Sequence, residues 1–246
     1  MSDLFLSVII PAYNEADRLG SSLQSICGYL LSRGVRFEII VVDDASQDET
    51  YRVAEELNCR DDDAWRLRLF RNERNRGKGY SVRRGMLECE GRYALLTDAD
   101  LSTPIQEFEK LENYVLHAVA QIAFGSRDVQ GSQVEVHQSA FRERSGKFFN
   151  WLVRHLTGLP YRDTQCGFKL FEMKQCKAIF ARQRIEDFGF DVEVLYVAQK
   201  WGLSLKEVPV VWRHVSGSKV NFVPDAARMI LDLLRVRWND WIGRYD

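Results

Sequence analysis

The chain has 246 residues, with 34 lysines and arginines against 35 aspartates and glutamates, a formal net charge of -1, 46% hydrophobic and 12% aromatic residues. This ordinary globular composition argues against a disordered or fibrous chain, and the balanced charge argues against bulk nucleic-acid binding. The length allows one large α/β domain or two small ones.

In chain order, Leu6–Ile10 reads as a strand ending at Pro11, and Asn14–Ser32 has helical spacing through Leu19, Leu23, Ile26 and Leu30. Phe37–Val42 is a continuous apolar run of the kind found in buried parallel strands. Asp48–Leu57 reads as a helix, Leu67–Phe70 as a short strand, Tyr80–Cys89 as a helix and Tyr93–Thr97 as a strand. Pro104–His117 follows Ser102 and Thr103, a helix-start signal, and Ile122–Phe124 is another short strand. This β-α-β-α order predicts a mostly parallel, doubly wound sheet, with ligands bound beyond the carboxyl ends of its strands. Further on, Phe141–Leu156 mixes aromatic and basic residues, Leu203–Trp212 reads as a strand broken by Pro209 and therefore near an edge, and Asp225–Tyr245 reads as a terminal amphipathic helix.

Cys27, Cys59, Cys89, Cys166 and Cys176 are scattered without a C-x-x-C pair, which disfavours a zinc or redox site and suggests a reduced, cytosolic compartment. The acidic start MSDLFLSVII does not resemble a signal peptide, and no apolar run approaches the ~20 residues that span a bilayer.

Polar residues collect where the predicted strands end: Pro11-Ala12-Tyr13-Asn14-Glu15, Asp43-Asp44-Ala45-Ser46 and Asp98-Ala99-Asp100. Each string alone is compatible with turns and helix caps. Together, on one sheet, they converge on one crevice. Two carboxylates separated by one small residue can approach a hard cation, Mg²⁺ or Mn²⁺, which bridges carboxylates to phosphates. Gly77-Lys78-Gly79 can bring a cation beside a phosphate or form a turn before a helix; it is not a P-loop.

Six strings, SVIIPAYNE, IIVVDDASQDET, NRGKGYSVRRGM, LLTDADLSTP, GSR and WRHVSGSK, occur in this order. With them the chain resembles the family-two glycosyltransferases of GT-A fold, and within these the polyprenyl-phosphate group of dolichyl-phosphate glucosyltransferases and mannose synthases. The resemblance runs from about Ser7 to Lys219; DADLSTP, Asp163-Thr164-Gln165-Cys166-Gly167-Phe168-Lys169 and the WRHVSGSK ending are its more specific parts. It implies a GT-A, Rossmann-like α/β fold with C-terminal amphipathic helices in a single domain over 1–246, about 1–130 binding the nucleotide sugar and about 131–246 the acceptor. It implies that Pro11, Ala12, Tyr13 and Glu15 line the nucleotide pocket, with Val41 beneath the base, Asp43 reading base or ribose and Asp44 assisting. Lys78 and Ala99 join this set. Asp98 and Asp100 would hold Mg²⁺ or Mn²⁺ against the diphosphate, and Arg127, Arg213 and Lys219 would meet donor or acceptor phosphates. Mannose synthases often carry glutamine two places after the second aspartate; Ser102 stands there in this sequence and leans toward the glucosyl branch.

The implied reaction is an inverting transfer of a hexose, glucose from UDP-glucose, to a polyprenyl phosphate that is already anionic near neutral pH. The protein would then mainly position reactants and neutralise charge. Contact with the membrane would be peripheral, at its cytosolic face, through Phe141–Leu156 or the terminal helix, where Met229, Ile230, Leu233, Leu234, Trp241 and Ile242 sit among arginines. Core packing is the alternative for that helix. Other readings keep the fold with a GDP-mannose donor or a non-lipid saccharide acceptor, or make the chain a non-catalytic nucleotide-sugar-binding module. Intact Asp98, Asp100, Arg213 and Lys219 count against the last.

Overall fold

The structure is a computed structural model and describes residues 4–58, 64–135, 150–213 and 222–246. Strands β1 (Leu6–Ala12), β2 (Phe37–Asp43), β3 (Trp65–Arg71), β4 (Tyr93–Leu96), β5 (Ile122–Ser126), β7 (Lys169–Glu172) and β8 (Leu205–Pro209) form one sheet, ordered β3-β2-β1-β4-β7-β5-β8. All neighbours run parallel except β7, which is antiparallel to both β4 and β5. A two-stranded ribbon pairs β6 (Gln133–Val134) with β9 (Val211–Trp212).

The sheet is covered on both faces, which is why β2 is buried at all seven positions. Alternate residues serve opposite layers. Ile9, Ile40 and Val42 pack toward α3 (Lys78–Glu88), α6 (Met173–Arg182), α7 (Phe190–Lys200) and α8 (Phe222–Trp241), through Met86, Phe180, Leu195 and Leu233. Val8, Ile10, Ile39 and Val41 face α1 (Ala16–Ser32) and α4 (Phe108–Leu116), through Leu19, Ile26 and Leu111. The remaining helices are α2 (Thr50–Asn58) and α5, over 150–157.

The predicted strands and helices of the first half are present with small boundary shifts. The segment after Pro104 begins as a 3₁₀ turn, Ile105–Glu107, before α4. Leu203–Trp212 divides: β8 is the sheet edge and ends at Pro209, whose ring supplies no N–H, and the chain then enters the ribbon as β9. Strand β7 and helices α6 and α7 are additional to the predicted elements. No described helix is long and apolar enough to cross a membrane. Cys27, Cys89, Cys166 and Cys176 are free thiols; Cys59 lies outside the described residues.

Candidate active site

Strand β1 is flanked by β2 on one side and β4 on the other, so the chain order reverses there and the carboxyl ends of three strands open into one crevice. The three loops that leave these ends are held in strained backbone. Asn14 (φ 52°), Ala45 (φ 58°) and Leu101 (φ 46°) are non-glycine residues in the left-handed region, one in each loop.

The loops after β1 and β2 are tied to each other. Asn14 N donates to Ser46 Oγ at 2.9 Å, Gln47 N to Asn14 Oδ1 at 2.7 Å, and Glu15 N to Thr50 Oγ1 at 2.6 Å. Ala12 ends β1 buried, while Pro11, Tyr13 and Glu15 are half-buried at the crevice. Asp43 accepts Ser46 N at 3.1 Å on Oδ1. Its Oδ2 is buried and accepts no hydrogen bond; Arg71 Nε lies 3.1 Å away but is not aligned to donate. That oxygen is an acceptor suited to a ligand hydroxyl or amide. Val41 is fully enclosed in the core layer below. Asp44 is occupied by the next loop: it accepts Asn72 Nδ2 at 2.7 Å, Arg76 N at 2.9 Å and Gly77 N at 2.8 Å. Its carboxylate therefore fixes the approach to α3 and its positive dipole end.

Gly77-Lys78-Gly79 is the tightly packed start of α3, with Gly77 at its N-cap, and it aims Lys78. Gly77 has φ 101°, and a Cβ there would lie 2.5 Å from Glu186 O; a Cβ on Gly79 would lie 2.7 Å from Ile185 O. Lys78 Nζ reaches Asp98 Oδ1 at 2.6 Å. Burial works against the Lys78 charge, but Asp98, Asp191 and Asp100 outweigh it and hold its pKa above the usual lysine range. Asp98 follows Thr97, whose N–H donates to Ile9 O at 3.1 Å and extends the β1–β4 pairing. Ala99 is buried between the two aspartates. Asp100 accepts Ser102 N at 2.9 Å on Oδ1, and Arg18 lies 3.9 Å from Oδ2 while also bonding Glu15. Sequence reasoning missed Arg18, which lies on the first turn of α1 and gives no motif signal.

Among the described residues no cluster of three His, Cys, Asp or Glu side chains forms a complete metal cage. Two carboxylates at a strand end fit Mg²⁺ or Mn²⁺ nonetheless, because such ions commonly take one or two carboxylates and complete their shell with substrate phosphates and water.

Two of the three residues expected to meet phosphates lie among the described residues. Arg127 N donates to Asp163 Oδ2 at 3.0 Å, and its Nε and Nη2 grip Asp163 at 2.7 and 2.9 Å. The fork expected to meet phosphate thus lies on a buried carboxylate 36 residues away. Burial alone would raise the Asp163 pKa, but Arg127 holds it below the usual carboxylate range. Arg213 stands at the crevice rim, its N–H on Ser102 O at 2.7 Å and its guanidinium on Glu135 at 2.8 Å. The ribbon thus braces the turn that carries Asp100. Lys219 and residues 141–149 lie outside the described residues.

These features describe a nucleotide-sugar transferase, and sequence comparison agrees. The model of Glycosyl transferase family 2 matches residues 7–180, and the chain belongs to that family; it is a glycosyltransferase with the GT-A fold. It is 34% identical to the dolichyl-phosphate β-glucosyltransferase of Dictyostelium discoideum, over 99% of this chain and 77% of that protein. To the dolichyl-phosphate β-glucosyltransferase of Homo sapiens it is 36% identical, over 94% and 74%. Among solved structures it resembles glucosyl-3-phosphoglycerate synthase from Mycobacterium tuberculosis in complex with Mn²⁺, UDP and phosphoglyceric acid, with a TM-score of 0.72 at 18% identity, covering 95% of this chain and 78% of that one. Mannosyl-3-phosphoglycerate synthase from Rubrobacter xylanophilus gives a TM-score of 0.69 at 19% identity, covering 98% and 75%.

Proposed function

We propose that this glycosyltransferase moves glucose from UDP-glucose to a dolichyl-type polyprenyl phosphate, with Mg²⁺ or Mn²⁺ held by Asp98 and Asp100. The observation that carries the reading is the pair of carboxylates at the end of β4, beside Lys78 and below the loops of β1 and β2. The similarity to dolichyl-phosphate β-glucosyltransferases over nearly the whole chain supports the sugar and the acceptor. When bound, the ion neutralises charge developing on the nucleoside diphosphate leaving group. Lys78 and Arg18 add positive charge on the same side of the crevice. Asp43 Oδ2 accepts a hydrogen bond from a hydroxyl or amide of the nucleoside, and Pro11, Ala12, Tyr13 and Glu15 form the wall beside it. Arg213 lies at the rim, where Glu135 must release it before it meets a phosphate. Displacement by an anionic lipid phosphate requires positioning more than a protein base.

Incubation with labelled UDP-glucose or GDP-mannose, polyprenyl phosphate and Mg²⁺ or Mn²⁺ tests this directly. Glucosylated lipid is expected from UDP-glucose and none once metal is chelated. Labelled lipid from GDP-mannose alone would refute the sugar assignment, and no lipid product from either donor would refute the acceptor.

The same reading places the enzyme peripherally at the cytosolic face of a membrane. Helix α8 has two apolar faces. Leu233 and Val236 are buried in the core, with Met229 and Ile230 packed beside them, while Leu231, Leu234, Trp238, Trp241 and Ile242 are exposed. Core packing, one of the alternatives set out by sequence, thus holds for one face of the helix; on this reading the exposed face meets lipid. Arg235 and Arg237 flank the exposed face and complement anionic lipid. Flotation with anionic vesicles should carry the protein upward, and Trp238→Ser/Trp241→Ser should lose most of that binding; equal flotation would refute this surface.

A further inference from the structure

A buried ion pair stands behind the proposed metal carboxylates. Lys169 and Asp191 are 1% and 3% exposed, and the Lys169 ammonium contacts Asp191 Oδ1 directly. The same ammonium donates to Cys166 O at 2.6 Å. The next residue is Gly167, and a Cβ there would lie 2.2 Å from Asp98 Oδ2. The backbone of this turn therefore forms a wall directly against the Asp98 carboxylate. Lys78 Nζ also contacts the Asp98 carboxylate. The buried pair thus holds the turn that confines Asp98 on this side, through Cys166 O.

We propose that Lys169 and Asp191 are positioning residues for the Asp98 carboxylate, pressing the Cys166–Gly167 turn against it. The inference rests on the reading of Asp98 and Asp100 as the metal-holding pair. Replacing a buried ion pair by apolar side chains of similar volume is often neutral for stability, whereas loss of groups that orient a metal ligand typically lowers metal affinity about 10–100-fold. The two roles therefore separate in one variant.

The test is Mn²⁺ titration followed by electron paramagnetic resonance, with UDP at saturation, alongside thermal unfolding. Lys169→Met/Asp191→Leu is expected to unfold cooperatively near the wild-type temperature while binding Mn²⁺ about 10-fold or more weakly. Gly167→Ala, which leaves the ion pair in place and sets one methyl on the Asp98 carboxylate, is expected to weaken Mn²⁺ binding similarly. Wild-type Mn²⁺ affinity in a folded double variant overturns the proposal. If the double variant does not fold, Gly167→Ala decides, and unchanged affinity there overturns it equally. Wild-type protein that binds no Mn²⁺ with UDP present overturns the metal reading itself, and this inference with it.

Discussion

Asp100→Ala is expected to lower the turnover number by about 10²–10³-fold, the scale set by removing one preorganised electrostatic contact to developing charge. The fold should survive. In the protein Asp100 is held by the Ser102 N–H, and Arg18 stands at 3.9 Å. Losing the first contact costs about 1 kcal/mol. The second is a long, partly solvated pair worth little. Turnover under saturating substrates, measured with a thermal melt, checks both halves. Wild-type turnover in a folded variant would remove Asp100 from the metal site. Asp98→Ala differs in kind, because it also leaves Lys78 without its nearest counter-charge.

Arg127→Met is expected to act first on stability, by about 3–5 kcal/mol, because it strands a buried carboxylate. Asp163 is 2% exposed, and its strongest partner is the Arg127 fork; the backbone N–H groups of Arg127 and Gln165 would remain. The pH dependence follows from the depressed Asp163 pKa. A carboxyl whose folded pKa lies below its unfolded value adds stability that is fully present above the unfolded value, about 3.9. That stability is lost as pH falls through the folded value. Urea unfolding between about pH 3 and pH 7 should therefore show a steeper acid loss for the wild type than for Arg127→Met. Parallel curves would mean that the pair does not hold Asp163 ionised. The double variant Arg127→Met/Asp163→Leu should recover most of the loss.

The crevice was legible because its residues sit at strand ends, where a polar string after an apolar run marks both the turn and the site. Lys78 was legible for a similar reason, its flanking glycines marking a turn. Arg127 shows the limit. An arginine after a strand has the chemistry to bind phosphate, and local sequence does not reveal that Asp163 holds its fork. Helix α7 was illegible for another reason. Phe190–Ala198 is buried at every position, so it carries no amphipathic period. Strand β7 hides behind Lys169, a charge that opens a four-residue core strand, intelligible only once Asp191 is beside it. The terminal helix was read correctly as amphipathic, but the face that Leu233 belongs to could be assigned only with its neighbours in place.

The antiparallel insertion of β7 has a consequence for how the chain is made. β4 and β5 are consecutive parallel strands in the chain, yet in the finished sheet they touch only through β7. As synthesis proceeds, β3, β2, β1 and β4 can assemble while β4 still presents an open edge. That edge waits for Lys169–Glu172 to leave the ribosome. An unpaired edge next to a hydrophobic core is a template for mispairing. Closure depends on a distant segment, which slows it through the cost of closing a long loop. The strand that closes the sheet also carries Lys169, so the last strand to join the centre of the sheet brings the lysine that fixes the turn behind Asp98. A nascent chain stalled before β7 would hold most of the donor-side loops but not a finished carboxylate site.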